Sequence, residues 1–375
     1  MHSVTKTAGL AVLPITGVNM KKILLTGGGS AGHVTPNIAL LPALRERGFE
    51  IHYVGQEDGI EHKLIEKQKD VIYHSIEAGK LRRYFSLKNL TDPMKVLKGK
   101  RQAKEIIKAV KPDVVFSKGG FVSVPVVMAA RGICPVICHE SDYTPGLANK
   151  IASRFADKVL VTFEDTLRFA KPGAIHTGTP IRRELFDGKR ARGLEFLGFD
   201  GSKPIIIVMG GSLGAAAIND AVRKALYKLT KQFDIVHLCG KGKMDETICV
   251  PGYKQYEYIN EELPDVMAAA DFAVSRSGAN ALFEFMALNK PAIFVPLPKG
   301  ASRGDQILNA QYVERKGYAK VLYQEELTAD SLCEKITELR SDANRLIENM
   351  KKDSTLDGTD EVLEVIDALA DGKKI

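Results

Sequence analysis

Short apolar runs alternate with amphipathic stretches along nearly the whole chain. Ile23–Thr26 is a compact apolar run that leads into the turn Gly27–Gly32. From about Pro36, the residues Ile38, Leu41, Ala43 and Leu44 recur at helical spacing, and the pattern stops at Gly48. Phe49–Val54 then reads as a strand. Similar runs follow at Val71–Ile76, Val114–Phe116, Val136–Cys138 and Val159–Phe163, with helical patterns between them. Strands alternating with helices in this way predict a parallel sheet covered on both faces.

The pattern then starts again. Pro204–Met209 is almost continuously apolar, runs into Gly210-Gly211-Ser212-Leu213-Gly214, and is followed by a helical stretch over Ala215–Leu229. Further strands are expected at Ile235–Leu238, Phe272–Val274, Ala292–Val295 and Ala319–Leu322. Strand, Gly-rich turn and helix thus occur once in each half. This predicts an α/β protein of two Rossmann-like domains, residues 20–180 and 181–354, facing a central cleft. The boundary falls where Pro180 precedes a charged stretch. In the tail, residues 355–375, Val362, Val365, Ile366 and Leu369 have helical spacing, and this helix is expected to pack back on the first domain. Residues 1–19 read as a disordered extension. Their apolar part contains Pro14 and has no small-residue cleavage pattern, whereas Met20-Lys21-Lys22-Ile23 is a natural start for the first strand.

Bulk properties narrow the class. The 375 residues suit two domains, and 45% hydrophobic with 26% charged residues is ordinary for a soluble globular chain. Five cysteines are scattered without a zinc spacing and read as reduced thiols. The net charge of +7 favours anionic partners, whether phosphates, acidic lipid or nucleic acid. Nucleic acid is not expected, because no recognised binding module accompanies the charge. No apolar run approaches the roughly 20 residues that span a bilayer.

The candidate chemistry gathers at turns. Gly27, Gly29 and Gly32 fit G-x-G-x-x-G between strand and helix, where amides and the helix dipole can meet a pyrophosphate. Glu57 and Asp58 stand near where an NAD enzyme would place its ribose-binding acid. The second Gly-rich turn argues instead for a donor held between two such halves. His33 sits at the loop–helix junction, as a base for an attacking hydroxyl or as a cap. His139-Glu140-Ser141-Asp142 follows a strand end, where ligands of α/β folds bind or where a following helix is capped. Ser275-Arg276-Ser277-Gly278-Ala279-Asn280 opens a helix that carries Glu284, placed to accept from ribose hydroxyls or simply an exposed helix acid. Gln306 and Asn309 lie one helical turn apart after Asp305, a set suited to sugar hydroxyls. No Asp-x-Asp pair is present, so no metal and no cofactor is expected, and the helix ends are left to neutralise a leaving diphosphate. Arg82, Arg83, Tyr84 and Phe85, with Leu87–Arg101, combine cations and apolar residues, as at an anionic membrane surface or on an ordinary amphipathic helix.

Taken in order, Gly28-Gly29-Ser30-Ala31-Gly32-His33-Val34, Gly119-Gly120-Phe121-Val122-Ser123, His139-Glu140, Gly178-x-Pro180-Ile181-Arg182, Gly210-Gly211-Ser212-x-Gly214-Ala215, Ser275-Arg276-Ser277-Gly278-Ala279 and Gln306-x-x-Asn309-Ala310 resemble the MurG family of peptidoglycan N-acetylglucosaminyltransferases. The resemblance runs from Met20 to the C-terminus. It implies a GT-B fold and a peripheral protein at the cytoplasmic face of the cell membrane. The implied reaction moves N-acetylglucosamine, with inversion, from UDP-N-acetylglucosamine to the muramoyl-peptide on undecaprenyl diphosphate. Related folds serve lipid glycosyltransferases acting on diacylglycerol, UDP-N-acetylglucosamine 2-epimerases and non-catalytic nucleotide-sugar binders. The resemblance further implies that Ser30, Ala31 and Gly32 line the donor or acceptor diphosphate region, and that His33 or Glu140 is the base. Arg182 and Ser212 would contact the donor nucleotide and diphosphate, the Ile259 backbone would read uracil, and Glu284 would hold ribose. Ala279, Asn280, Ala281, Leu282 and Phe283 would supply helix amides, and Asp305, Gln306 and Asn309 would read the sugar. Asp142 and Thr179 stand where Asn is common in the family. An ionised Asp142 accepts hydrogen bonds but donates none.

Overall fold

The computed structural model describes residues 20–79, 92–211, 214–300 and 303–374. The extension 1–19, the patch Arg82, Arg83, Tyr84 and Phe85, and Ser212 lie outside the described residues. The first domain runs β1 (Lys22–Thr26), α1 (Thr35–Glu46), β2 (Glu50–Gly55), α2 (Ile60–Ile65), β3 (Val71–Ser75), α3 (Asp92–Val110), β4 (Val114–Ser117), α4 (Ser123–Ala130), β5 (Val136–Glu140), α5 (Leu147–Ala152), β6 (Lys158–Val161) and β7 (Ile175–His176). The second runs α6 (Arg190–Leu197), β8 (Ile205–Met209), α7 (Ala216–Leu229), β9 (Asp234–Leu238), β10 (Tyr253–Tyr256), α8 (Leu263–Ala269), β11 (Phe272–Ser275), α9 (Ala279–Ala287), β12 (Ala292–Phe294), α10 (Asp305–Arg315), β13 (Lys320–Val321) and α11 (Ala329–Lys351). A last helix, α12 (Thr359–Ala370), follows.

Each domain holds one parallel sheet, ordered β3-β2-β1-β4-β5-β6-β7 in the first and β10-β9-β8-β11-β12-β13 in the second. The strand order reverses beside β1 and beside β8, and the turn after each of these strands is Gly-rich. Such switch points are where open α/β sheets bind ligands. The strands read as apolar runs because both faces are covered. Ile23 and Leu25 of β1 pack under α1 and α12, while Leu24 between them packs toward α3 and α4. From the tail, α12 puts Val362, Ile366 and Leu369 into the first domain's core. β7 and β10 were not expected from the sequence. Both are edge strands, and β10 reads Tyr-Lys-Gln-Tyr, without the apolar run that marks a strand covered on both faces.

The domains meet through an aromatic cluster. Phe163 of the first packs edge-to-face on Phe283 and Tyr312 of the second, with ring centroids 5.1 and 5.0 Å apart. Tyr143 joins the same buried group.

Candidate functional site

A cavity of about 590 Å³ lies between the two Gly-rich turns, lined from both domains. Ligand pockets typically span ≈ 300–1,000 Å³. The first domain contributes Ser30, Gly32, His33, Ser141 and Asp142. The second contributes the turn glycines 210, 211 and 214, Arg276, the start of α9 and Gln306.

The first turn is built tightly. Gly29 has φ +80°, and a Cβ there would meet the Phe121 ring at 2.4 Å, so only glycine fits. Its amide donates to the buried Glu61 carboxylate at 3.1 Å, and Glu61 also accepts from Gln56 N. A carboxylate thus occupies an amide that a dinucleotide pyrophosphate would need. Glu57 and Asp58 are exposed, so the NAD alternative finds no support in this turn. In the second turn Gly214, at φ +66°, packs its Cα on the Cys239 carbonyl, where a Cβ would come within 1.9 Å.

His33 sits half-buried at the cavity wall. Its Nδ1 lies 2.9 Å from Ser30 Oγ, and the ring also bonds the Gly28 carbonyl. Nδ1 is thereby turned back on its own loop. Burial, then the charges of Lys118 and Arg303, lower its pKa to about 4, so the ring is neutral at physiological pH.

Glu140 is placed differently. It does not line the cavity, and its carboxylate accepts from Asp142 N at 2.9 Å, Gly146 N at 3.1 Å and Asn149 Nδ2 at 2.8 Å. Burial, then repulsion from Asp142, push its pKa up to about 7. These bonds hold the loop 141–146 in shape, so Glu140, expected as an alternative base, is engaged by its own loop and lies outside the cavity lining.

The α9 amides divide into two groups. Ala279, Asn280 and Ala281 line the cavity with first-turn amides, but Leu282 N donates to Gly278 O within the helix at 3.0 Å. Leu282 and Phe283 are buried core residues beyond the unpaired first turn. Asn280 Nδ2 reaches across the cleft to the Gly32 carbonyl at 3.1 Å. Arg276 is buried beneath, donating to the carbonyls of Val295 and Pro296 and to Gln324.

Arg182 and Glu284 form a half-buried ion pair, Nε to Oε1 2.9 Å, that joins the interdomain link to α9. Ile259 follows β10 and buries its side chain in the second core, away from the cavity lining. Gln306 lines the cavity, its Oε1 accepting from Leu297 N. Asn309, expected to read sugar hydroxyls, is fully buried instead. Its Oδ1 accepts from Tyr143 N, and its Nδ2 donates to Ser277 O and Asp142 Oδ1. With no exposed surface, it joins the two domains through these bonds. Asp305 takes Thr144 Oγ1 at 2.9 Å and pairs with Arg303, which also donates to Asp142 Oδ2 at 3.2 Å. Burial, then Asp305, push the Asp142 carboxyl up in pKa. No group of metal-ligating side chains occurs among the described residues.

Sequence reasoning passed over Lys118, Arg303, Tyr143 and Glu61. Lys118 had a readable signal, a cation directly after the strand Val114–Ser117 and before two glycines. Arg303 and Tyr143 gain meaning only from the approach of the two domains.

The N-terminal-domain family of glycosyltransferase family 28 matches residues 23–161, and its C-terminal-domain family matches residues 205–364. A UDP-N-acetylglucosamine–N-acetylmuramyl-(pentapeptide) pyrophosphoryl-undecaprenol N-acetylglucosamine transferase of Clostridium botulinum is 53% identical over 349 residues, 92% of this chain and 97% of that protein. A second form of the same transferase, from Bacillus cereus, is 54% identical over 336 residues, 89% of this chain and 95% of its own. Among solved structures, MurG of Acinetobacter baumannii matches with TM-score 0.71 at 27% identity, over 92% of this chain and 99% of that one. The kitacinnamycin glycosyltransferase shares the fold alone, with TM-score 0.71 at 16% identity over 93% and 99%. With both halves matched and such identity along nearly its whole length, the chain belongs to the MurG family within glycosyltransferase family 28.

Proposed function

We propose that this chain transfers N-acetylglucosamine from UDP-N-acetylglucosamine to the muramoyl-peptide carried on undecaprenyl diphosphate, in peptidoglycan synthesis. The observation that carries the reading is the 53% identity, through both domains, with the Clostridium botulinum transferase of that name. The cleft suits the chemistry. The acceptor hydroxyl oxygen bonds to C1 of the sugar as the bond from C1 to the diphosphate oxygen breaks. UDP leaves with the electron pair, the anomeric configuration inverts, and His33 Nε2 takes the hydroxyl proton, a step worth about 10²–10⁴-fold. The α9 amides of Ala279, Asn280 and Ala281 face the charge that develops on the diphosphate. Arg182 and Glu284 would fix the nucleoside, with the Ile259 backbone at the base and Ser212 at the phosphates. Gln306 would meet the sugar, and Ser30, Ala31 and Gly32 the diphosphate region. In this reading the helix amides, not a metal ion, meet the diphosphate.

We place the protein peripherally at the cytoplasmic membrane face. In α3, Met94 and Leu97 are 70% and 64% exposed, beside Lys95, Lys98 and Arg101. This pairing suits an anionic lipid surface. No described helix is long and apolar enough to cross a membrane. The test is incubation with labelled UDP-N-acetylglucosamine and either the muramoyl lipid or diacylglycerol. Label on the muramoyl lipid alone is expected. Label on diacylglycerol, or free sugar released without acceptor, would overturn the assignment.

A further inference from the structure

Glu61 of α2 is fully buried and is left unused by the reaction as described. Its Oε2 accepts from Gly29 N and its Oε1 from Gln56 N, each at 3.1 Å. One carboxylate therefore ties the turn after β1 to the turn after β2. The second turn is fixed in its own right, since the Tyr73 hydroxyl of β3 donates to Gln56 O at 2.7 Å. Gly28 and Gly59 close over the group, and a Cβ at either would run into the carboxyl. Two turns and the start of α2 are thus shaped around this one side chain.

A buried carboxylate is costly unless its oxygens are satisfied. Glutamine has the same shape without the charge, but it carries a single acceptor oxygen, and its NH2 group would face one of the two N–H donors. Two backbone donors on two oxygens therefore call for a carboxylate and not merely a polar filler. The held amide is half of a peptide unit whose other half reaches the cavity. Gly29 N and the Gly28 carbonyl share one trans peptide plane and point opposite ways. Glu61 takes the N–H, while the carbonyl bonds the His33 ring. On the far side of Gly29, Ser30 Oγ lies 2.9 Å from His33 Nδ1, and Ser30 O accepts from His33 N at 3.2 Å. His33 thus hangs from the two residues that flank Gly29, and Glu61 fixes Gly29.

We propose that Glu61 is a positioning residue for sugar transfer: it fixes the Gly28–Gly29 peptide plane, and through that plane sets where the His33 ring stands against the cavity. This rests on the transferase reading above, in which His33 takes the hydroxyl proton. The same carboxylate fills the amide at which a turn of this kind can receive an anion, so a substrate diphosphate is left the residues from Ser30 onward.

The test compares wild type, Glu61→Gln and Glu61→Ala in the full chain, each with added formate and with chloride at equal ionic strength. Transfer to the muramoyl lipid is measured against donor concentration. Both variants should lower kcat at least about tenfold, as a misplaced catalytic group does, with KM for UDP-N-acetylglucosamine changed less than about twofold. Formate fits the space that Glu61→Ala leaves and should restore part of its kcat, but should do nothing for Glu61→Gln, whose side chain fills that space. A loss carried by KM, a kcat within about twofold of wild type, or no formate response in Glu61→Ala would overturn the proposal. If Glu61→Ala does not fold, Glu61→Gln still decides it through nitrogen-labelled histidine. The His33 ring signals, assigned with His33→Ala, should shift in Glu61→Gln, and unshifted signals refute the link. If the wild type transfers no sugar, the transferase reading fails separately, and the His33 ring signals alone read the hold of Glu61 on His33.

Discussion

Replacing Asn309 by Ala separates a clasp from a sugar contact. The amide makes all its bonds inside the protein: 3.0 Å from Tyr143 N, 3.1 Å to Ser277 O and 3.2 Å to Asp142 Oδ1. Truncation strands the buried Tyr143 N–H and the Ser277 carbonyl, at about 1–3 kcal/mol each, and removes a donor from a carboxylate. A small void that admits water would offset part of this, which leaves a net loss of roughly 3 kcal/mol. For a unit of this size that corresponds to a fall in Tm on the order of 10 °C. Calorimetric melting of the free protein, beside donor titration, measures both. A clasp gives the melting loss without ligand, and a rise in KM for UDP as much as for UDP-N-acetylglucosamine. A sugar contact would leave the free protein within about 1 °C of wild type and weaken only the sugar-bearing donor. That second pattern would refute the reasoning. Asn309→Asp puts an oxygen where Nδ2 faces Asp142 Oδ1 and Ser277 O, so it should be worse than Ala at neutral pH and recover partly in acid.

Four further outcomes are expected. His33→Ala should lower kcat by about 10²–10⁴ with donor affinity unchanged, and unchanged turnover would exclude it as the base. The active form of His33 is neutral and its pKa is lowered to about 4, so wild-type turnover should hold as pH falls from 7 to about 5.5 and fade only nearer 4; a limb centred at the ordinary histidine value would contradict this. Glu284→Gln removes the charge opposite Arg182 and should raise KM for UDP-N-acetylglucosamine about tenfold with little change in kcat, read by steady-state kinetics. Ser at both Met94 and Leu97 should reduce sedimentation with anionic vesicles while leaving Tm unchanged, because both side chains are exposed; unchanged sedimentation would exclude that face of α3.

The layout of the fold was legible because parallel strands buried on both faces leave continuous apolar runs, and glycine turns mark where each sheet reverses order. Ile23–Thr26 and Pro204–Met209 carry that signal, whereas β10, half-polar at a sheet edge, does not. The candidate site was legible to the extent that one element supplies it. The first-turn residues Ala279, Asn280 and Ala281 follow from a Gly-Ala helix start alone. Roles that depend on a second element were not legible. Nothing local says that Glu61 fills the first turn, that Glu140 is saturated by its own loop, or that Lys118 reaches Thr179. The Glu61 and Lys118 bonds are long-range, and those of Glu140 depend on how its loop folds back, so residue spacing carries no information about them.

The pair Gln306 and Asn309 shows why donor binding and domain closure are one process here. Three residues on a helix differ by 300°, so the two side chains diverge by about 60° around α10. That divergence puts Gln306 on the cavity wall and Asn309 into the other domain. α9 divides in the same way: the amides of its first turn face the cavity, while the Asn280 side chain bonds Gly32 beside His33. Opening the cleft would break the Asn280–Gly32, Asn309–Tyr143 and Asp305–Thr144 bonds together. It would also withdraw His33 from the helix end that meets the diphosphate. A donor that bridges the two walls therefore binds the closed arrangement more tightly than the open one, and its binding shifts the population by that difference and no more. Because Asp142 contacts both Asn309 and the cavity, its charge enters the donor affinity and the closure equilibrium at once. A variant at position 142 should for that reason change the two by correlated amounts, which independent donor and hinge sites would not do.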